Sequence, residues 1–197
     1  SGATYLDGTT DITRTYPLGE LTEDEKRFYT WTLQSHIDLA KAVWLDYCEC
    51  KMIDTIAREP LWRHLINYRC GTGHSVSFVG NVHEGPHALN SRNTTRMRPG
   101  MVVTDEPGVY ETDLVGIRIE NELVCVHRAD NQYGTFLGFE PLTFVPIATS
   151  PILPGVLDRD ELDWLNRYHR AVFVTLAPRL TAEERVWLAG KCAAIGC

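Results

Sequence analysis

The stretch Gly116-Ile117-Arg118-Ile119-Glu120-Asn121-Glu122-Leu123-Val124-Cys125-Val126-His127 alternates at the two-residue period of a strand. Ile117, Ile119, Leu123 and Cys125 share one side, and Arg118, Glu120, Glu122, Val124 and Val126 the other. One side packed on a core is the signature of an antiparallel sheet. On the second side a guanidinium stands among carboxylates and two valines. These charges either pair with one another or face a shared site, and a solvated outer face is the competing reading.

Working outward, Met101 to Glu106 reads as a short strand closed by the turn Pro107-Gly108. After Asp130-Asn131-Gln132 the chain turns again and reaches a further strand at Leu142 to Ile147. Near the start, Asp7-Gly8 is a turn and residues 9–16 are a Thr-rich strand in which Thr9, Asp11 and Thr13 share a face. Three helices announce themselves by their caps. Thr22-Glu23-Asp24-Glu25 is a capping box, followed by Phe28, Trp31, Leu33, Ile37, Ala40 and Trp44 at helical steps, which predicts a helix to about Leu45. Asp158-Arg159-Asp160-Glu161 opens another helix, with Leu162, Leu165, Tyr168 and Val172 on one stripe and Pro178 ending it. Thr181-Ala182-Glu183-Glu184 opens the last. A further helical pattern covers Lys51 to Asn67, with Met52, Ile53, Ile56, Leu61, Leu65 and Ile66 inward and an irregularity at Pro60. His87 to Arg98 is polar and reads as a loop.

The chain has 197 residues, 44% hydrophobic and 23% charged, which is ordinary for a globular domain. A net charge of −7 argues against nucleic acid or an anionic membrane as the main partner and leaves a small or peptide substrate. No run approaches the roughly 20 apolar residues of a membrane span. Six cysteines without paired spacing fit a reduced, cytoplasmic setting. Cys48-x-Cys50 is either half of a zinc site or two incidental thiols, and no second pair lies at a suitable distance.

Between the helices and the strands lies Cys70-Gly71-Thr72-Gly73-His74-Ser75-Val76-Ser77-Phe78-Val79-Gly80-Asn81-Val82-His83-Glu84-Gly85-Pro86. Glycines bracket His74, which suggests a close backbone approach, and His83 follows a short strand-like run. Taken with Asp11, Glu106 and Glu120, His74 makes a ligand set of one imidazole and three carboxylates, suited to manganese, cobalt or zinc. None of these residues is locally spaced as a ligand pair, and a hydrogen-bonded structural histidine stands as the plainer reading.

Asp7-Gly8-Thr9-Thr10-Asp11-Ile12-Thr13-Arg14-Thr15, Gly71-Thr72-Gly73-His74, Asn81-Val82-His83-Glu84-Gly85-Pro86, Asp105-Glu106-Pro107-Gly108 and Gly116 to Asn121 together resemble the Xaa-Pro aminopeptidases of the pita-bread metallopeptidase clan. Phe139-Glu140-Pro141-Leu142-Thr143-Phe144-Val145-Pro146-Ile147 and the terminal helices resemble that family's C-terminal extension. The resemblance implies an α+β pita-bread (creatinase/aminopeptidase-like) fold: a curved antiparallel sheet flanked by helices, with a catalytic domain over residues 1–149 and a helical extension over 150–197. It also implies hydrolysis of the N-terminal Xaa-Pro bond by water activated between two divalent ions, usually Mn2+, with Zn2+ or Co2+ as alternatives. Matched motif by motif, the metal ligands are Asp11, His74, Glu106 and Glu120. Glu106 doubles as the proton shuttle, and His83 and Arg118 contact substrate. The implied partners are a peptide with proline in second position and a second copy of the chain.

Two departures accompany the likeness. The family's first ligand Asp falls eleven residues before Asp11, just ahead of Ser1. This predicts four of five ligands, a weakened metal position and a domain incomplete at its N-terminus, whose missing part would be a further partner. Cys70 stands where similar family members carry His, and a thiol is a poor donor beside an imidazole, which predicts impaired substrate orientation; a small buried residue is the alternative reading. A non-catalytic pita-bread domain that binds protein or peptide is the alternative function.

Overall fold

The computed structural model describes residues 2–196, so Ser1 and Cys197 lie outside the described residues. Strands β1 (Gly2–Tyr5) and β2 (Gly8–Asp11) form an antiparallel hairpin with Gly2 opposite Asp11. The strand expected over 9–16 therefore stops at Asp11. Beyond it Thr13 makes a single bridge to Glu120, while Arg14 and Thr15 turn their side chains onto other segments' carbonyls instead of extending a ladder.

Helix α1 (Glu23–Ala40) begins as its cap dictates: Thr22 and Glu25 exchange both hydrogen bonds of the capping box, and three acids fill the first turn. It ends at Ala40, short of the expected Leu45. Val43–Leu45 forms β3, in which Trp44 is buried as a strand residue opposite Leu137, its ring 4.5 Å from that of Phe139. Aromatic and β-branched residues gain more from that pairing than from another helical turn. Helix α2 (Cys50–Trp62) also ends before the expected Asn67. Leu65 adopts a left-handed backbone, φ 60°, and is 95% exposed, and Met52 is half exposed, so neither faces inward.

The remaining strands are β4 (Gly73–His74), β5 (Ala88–Leu89), β6 (Val102–Asp105), β7 (Gly108–Glu111), β8 (Val115–Arg118), β9 (Asn121–Asn131) and β10 (Gly134–Pro141). One antiparallel sheet runs in the order β3-β10-β9-β6, and β4-β5 and β7-β8 are separate pairs. The stretch 116–127 keeps its expected core side, since Ile117, Ile119, Leu123 and Cys125 are all at most 2% exposed, but Glu120 and Glu122 on the other side are buried as well, at 1% and 8%. It is not one strand, however. The ladder breaks between β8 and β9, where the Glu120 N–H turns to the Thr13 carbonyl (3.0 Å).

Residues 142–147 form no strand, and the strand lies earlier, at β10. Their backbone groups are taken largely by side chains: the Val145 and Pro146 carbonyls accept from Arg14, and the Ile147 N–H donates to His169 Nε2. Helices α3 (Arg159–Leu176) and α4 (Ala182–Lys191) start at the expected capping boxes, with Pro178 in a 3-10 turn between them. Leu162, Leu165, Tyr168 and Val172 of α3 enter the same hydrophobic core as Leu33 and Ile37 of α1.

His169 is wholly buried, and burial together with the charge of Arg14 pushes its pKa down from 6.5 to about 4. The unfolded chain thus binds a proton between those values that the folded chain refuses. The contribution of His169 is fully present above pH ~6.5 and is lost as pH falls toward ~4, by up to about 3 kcal/mol. Urea unfolding at pH 7.5 and 4.5 is expected to show a smaller loss for His169→Gln than for the wild type.

Candidate metal centre

β4 passes so close to β6 that a Cβ on Gly73 would lie within 1.8 Å of the Thr104 carbonyl oxygen. This approach lets the His74 N–H reach Thr104 Oγ1 (2.9 Å), while the same hydroxyl donates to Glu106 Oε1 (2.9 Å). Thr104 thus sets His74 and Glu106 relative to each other. The Ser75 carbonyl lies 3.1 Å from His74 Nδ1, which assigns the ring proton to that nitrogen and leaves the Nε2 lone pair facing inward. Nε2 is 3.0 Å from Glu106 Oε1 and 3.6 Å from Asp11 Oδ2, yet it makes no hydrogen bond.

Asp11 is held at the end of β2 by its own N–H, which donates to Glu122 Oε1 (2.7 Å). Glu120, 1% exposed, accepts from the Thr13 hydroxyl through Oε2, and its buried Oε1 has no partner. Ligand atoms of Asp11, His74 and Glu120 all lie within 4.8 Å of one another, and Glu106 closes the group through its contact with His74. All four sequence-derived ligand residues are therefore brought together, from segments around β2, β4, β6 and the β8–β9 break.

The electrostatics of the cluster call for a cation. Burial pushes Glu120 up to about 7, with the charges of Glu106 and Asp11 adding to it. Burial also opposes charge on His74, but Glu106, the Ser75 carbonyl and Asp11 outweigh it and raise its pKa. Desolvation likewise works against the Glu106 charge, and His74 with Thr104 and Arg118 overcomes it and lowers its pKa. Two unpartnered buried acceptors, His74 Nε2 and Glu120 Oε1, among oxygen and imidazole donors fit a hard or borderline divalent ion.

The other site residues lie around this group. The His83 ring stands edge-on to His74 with centroids 4.0 Å apart and is solvent-exposed. Arg118 donates to Thr13 Oγ1 (2.9 Å) and Tyr110 Oη (3.3 Å), and its Nε lies 3.8 Å from Glu120 Oε2. Cys70 is exposed, its thiol 3.9 Å from the Gly108 carbonyl and pushed up in pKa by desolvation. Cys48 and Cys50 are free thiols. Glu122 is the contact that sequence reasoning left unassigned, although its place on the Arg118–Glu120 face was the available signal.

Antiparallel strands and strand ends that bring one imidazole and three carboxylates to a common point are the arrangement of the pita-bread metallopeptidases. The chain belongs to metallopeptidase family M24: the model of that family matches residues 1–127, and that of the C-terminal region of the same peptidase family matches 135–195. It is 45% identical over 196 residues to aminopeptidase P2 of Arabidopsis thaliana, covering 95% of this chain and 28% of that protein. A probable Xaa-Pro aminopeptidase P of Laccaria bicolor is 40% identical over 98% of the chain and 31% of its own length. The chain thus spans about three-tenths of these relatives. Among solved structures, an X-prolyl aminopeptidase from Caenorhabditis elegans, described as a cytosolic enzyme with a di-nuclear active site, superposes with a TM-score of 0.91 at 38% identity, over 98% of this chain and 32% of that one. Prolidase from Pyrococcus furiosus matches at TM-score 0.63 and 29% identity, over 73% of this chain and 40% of that one. No helix among the described residues is long and apolar enough to cross a membrane.

Proposed function

We propose that the protein hydrolyses the bond between an N-terminal residue and a following proline, with two divalent ions, Mn2+ first among them, held by Asp11, His74, Glu106 and Glu120. The observation that carries this reading is the convergence of those four residues around two buried acceptors without partners. Bound there, the ions would polarise the scissile carbonyl and acidify a water. The chain's own residues do the rest. Glu106, fixed by Thr104 and His74, takes and returns the proton. His83, exposed beside His74, contacts the peptide, and Arg118 orients it from the Tyr110 side. The likeness to the C. elegans enzyme supports a cytosolic setting. A second copy and an N-terminal portion are the further partners in this reading.

Metal analysis after dialysis against Mn2+, paired with hydrolysis of an Xaa-Pro peptide and its Xaa-Ala counterpart, tests the proposal. Retained manganese and cleavage of the proline peptide alone are expected. A folded protein that retains no metal and cleaves neither peptide would overturn the reading in favour of a non-catalytic binding domain.

A further inference from the structure

Behind the candidate ligands runs a buried chain of polar side chains that the proposed hydrolysis does not use. His36 on α1 lies against Asp105, the neighbour of Glu106: its Nδ1 is 3.3 Å from the Asp105 carbonyl oxygen and 3.0 Å from Oδ2, and both side chains are wholly buried, although neither Asp105 carboxylate oxygen makes a hydrogen bond. His36 Nε2 lies 3.3 Å from Asn121 Nδ2, and Asn121 stands beside Glu120. Asn121 Oδ1 in turn accepts from Arg14 Nη2 (2.7 Å) and lies 3.3 Å from the Tyr168 hydroxyl, whose proton has the Val145 (2.9 Å) and Thr143 (3.1 Å) carbonyls as nearer acceptors. Arg14, three residues after Asp11, also donates to the Glu120 carbonyl (2.6 Å) and to Tyr168 Oη (2.8 Å). Tyr168 belongs to α3, far from the site in sequence, and its ring stacks on Trp164.

Asp105 and Asn121 are register partners across β6 and β9. Successive residues of extended chain point to opposite faces, so Glu106 and Glu120 face the cluster while Asp105 and Asn121 face this chain of bonds. Asp11, Glu106 and Glu120 therefore each have a close sequence neighbour fixed in the same network. Buried side chains packed and hydrogen-bonded in this way are held in place, and supporting residues of this kind set where ligands sit.

The geometry points to Tyr168 and Arg14 as positioning residues through which helix α3 holds the three carboxylates at cation-binding separation. This deepens the metal reading above and rests on it. Tyr168→Phe removes the hydroxyl and keeps the stacked ring. It is expected to weaken Mn2+ binding by about tenfold in a calorimetric titration and to alter the visible absorption bands of the Co2+-loaded protein. Arg14→Lys, which keeps the charge but loses the planar fork, is expected to shift both readouts in the same direction and further. Val172→Ala, on the same helix and fully buried but absent from the network, should lower the unfolding midpoint and leave Mn2+ affinity and the Co2+ spectrum at wild-type values. Wild-type affinity and spectrum in both Tyr168→Phe and Arg14→Lys would overturn the inference, as would a Val172→Ala effect equal to theirs. A folded wild type that binds neither ion would overturn the metal reading and this inference with it.

Discussion

Glu120→Gln is expected to reduce affinity for Mn2+ by at least about a hundredfold, beyond what loss of a supporting residue costs, while leaving the metal-free protein as stable as the wild type or slightly more so. The carboxylate is 1% exposed, and one of its oxygens has no partner. Without a cation, burial and the charges of Asp11 and Glu106 oppose ionisation of this carboxylate and outweigh the help it receives from Thr13 and Arg118. Removing a buried charge of that kind relieves the apoprotein. Gln preserves the shape and can still accept from Thr13, so the fold has little to lose. The two measurements are metal titration and the thermal midpoint of the dialysed protein. Unchanged affinity would remove Glu120 from the ligand set, and a large drop in midpoint would make it a structural residue.

Gly73→Ala is expected to damage both fold and site, with about 3 kcal/mol lost from stability, the upper end of overpacking costs. The added methyl would meet the backbone oxygen of Thr104, at 1.8 Å, rather than the far end of a flexible side chain. β4 would have to move away from β6, which parts the His74 N–H from Thr104 Oγ1 and shifts Glu106 along with it. Metal affinity should fall along with stability. That distinguishes this change from Glu120→Gln, in which the two separate. Urea unfolding and Mn2+ titration of the same preparation check it, and wild-type values in both would show that the strands can part without consequence.

What could be read in advance was whatever depends on neighbours in sequence. Thr22 with Glu25, Asp158 with Glu161, and Thr181 with Glu184 each form their boxes within one turn, and all three helices start there. The alternation from Ile117 to Cys125 likewise gave the buried face. Trp44 was misread because its helical spacing is real, while its burial comes from pairing with Leu137, far along the chain. Residues 142–147 depart from the expected strand for the same kind of reason: the groups that satisfy the backbone of Val145, Pro146 and Ile147 belong to Arg14 and His169. The grouping of Asp11, His74, Glu106 and Glu120 was legible because the motifs that carry them are specific. The buried network was not, since His36 is one polar residue in a helical pattern and Tyr168 one member of an apolar stripe, and their roles arise only from contact.

The lone bridge between Thr13 and Glu120 also bears on how the chain folds. It joins positions 107 residues apart, and the Thr13 hydroxyl contacts the Glu120 carboxylate at the same place. Closing so long a loop carries an entropy cost that few local contacts repay in advance, so this junction belongs to the late part of assembly. The cluster is complete only once the junction closes. A cation that needs both sides would therefore bind only the finished fold, adding RT ln(1 + [M]/Kd) to its stability and drawing the folding equilibrium toward the closed junction.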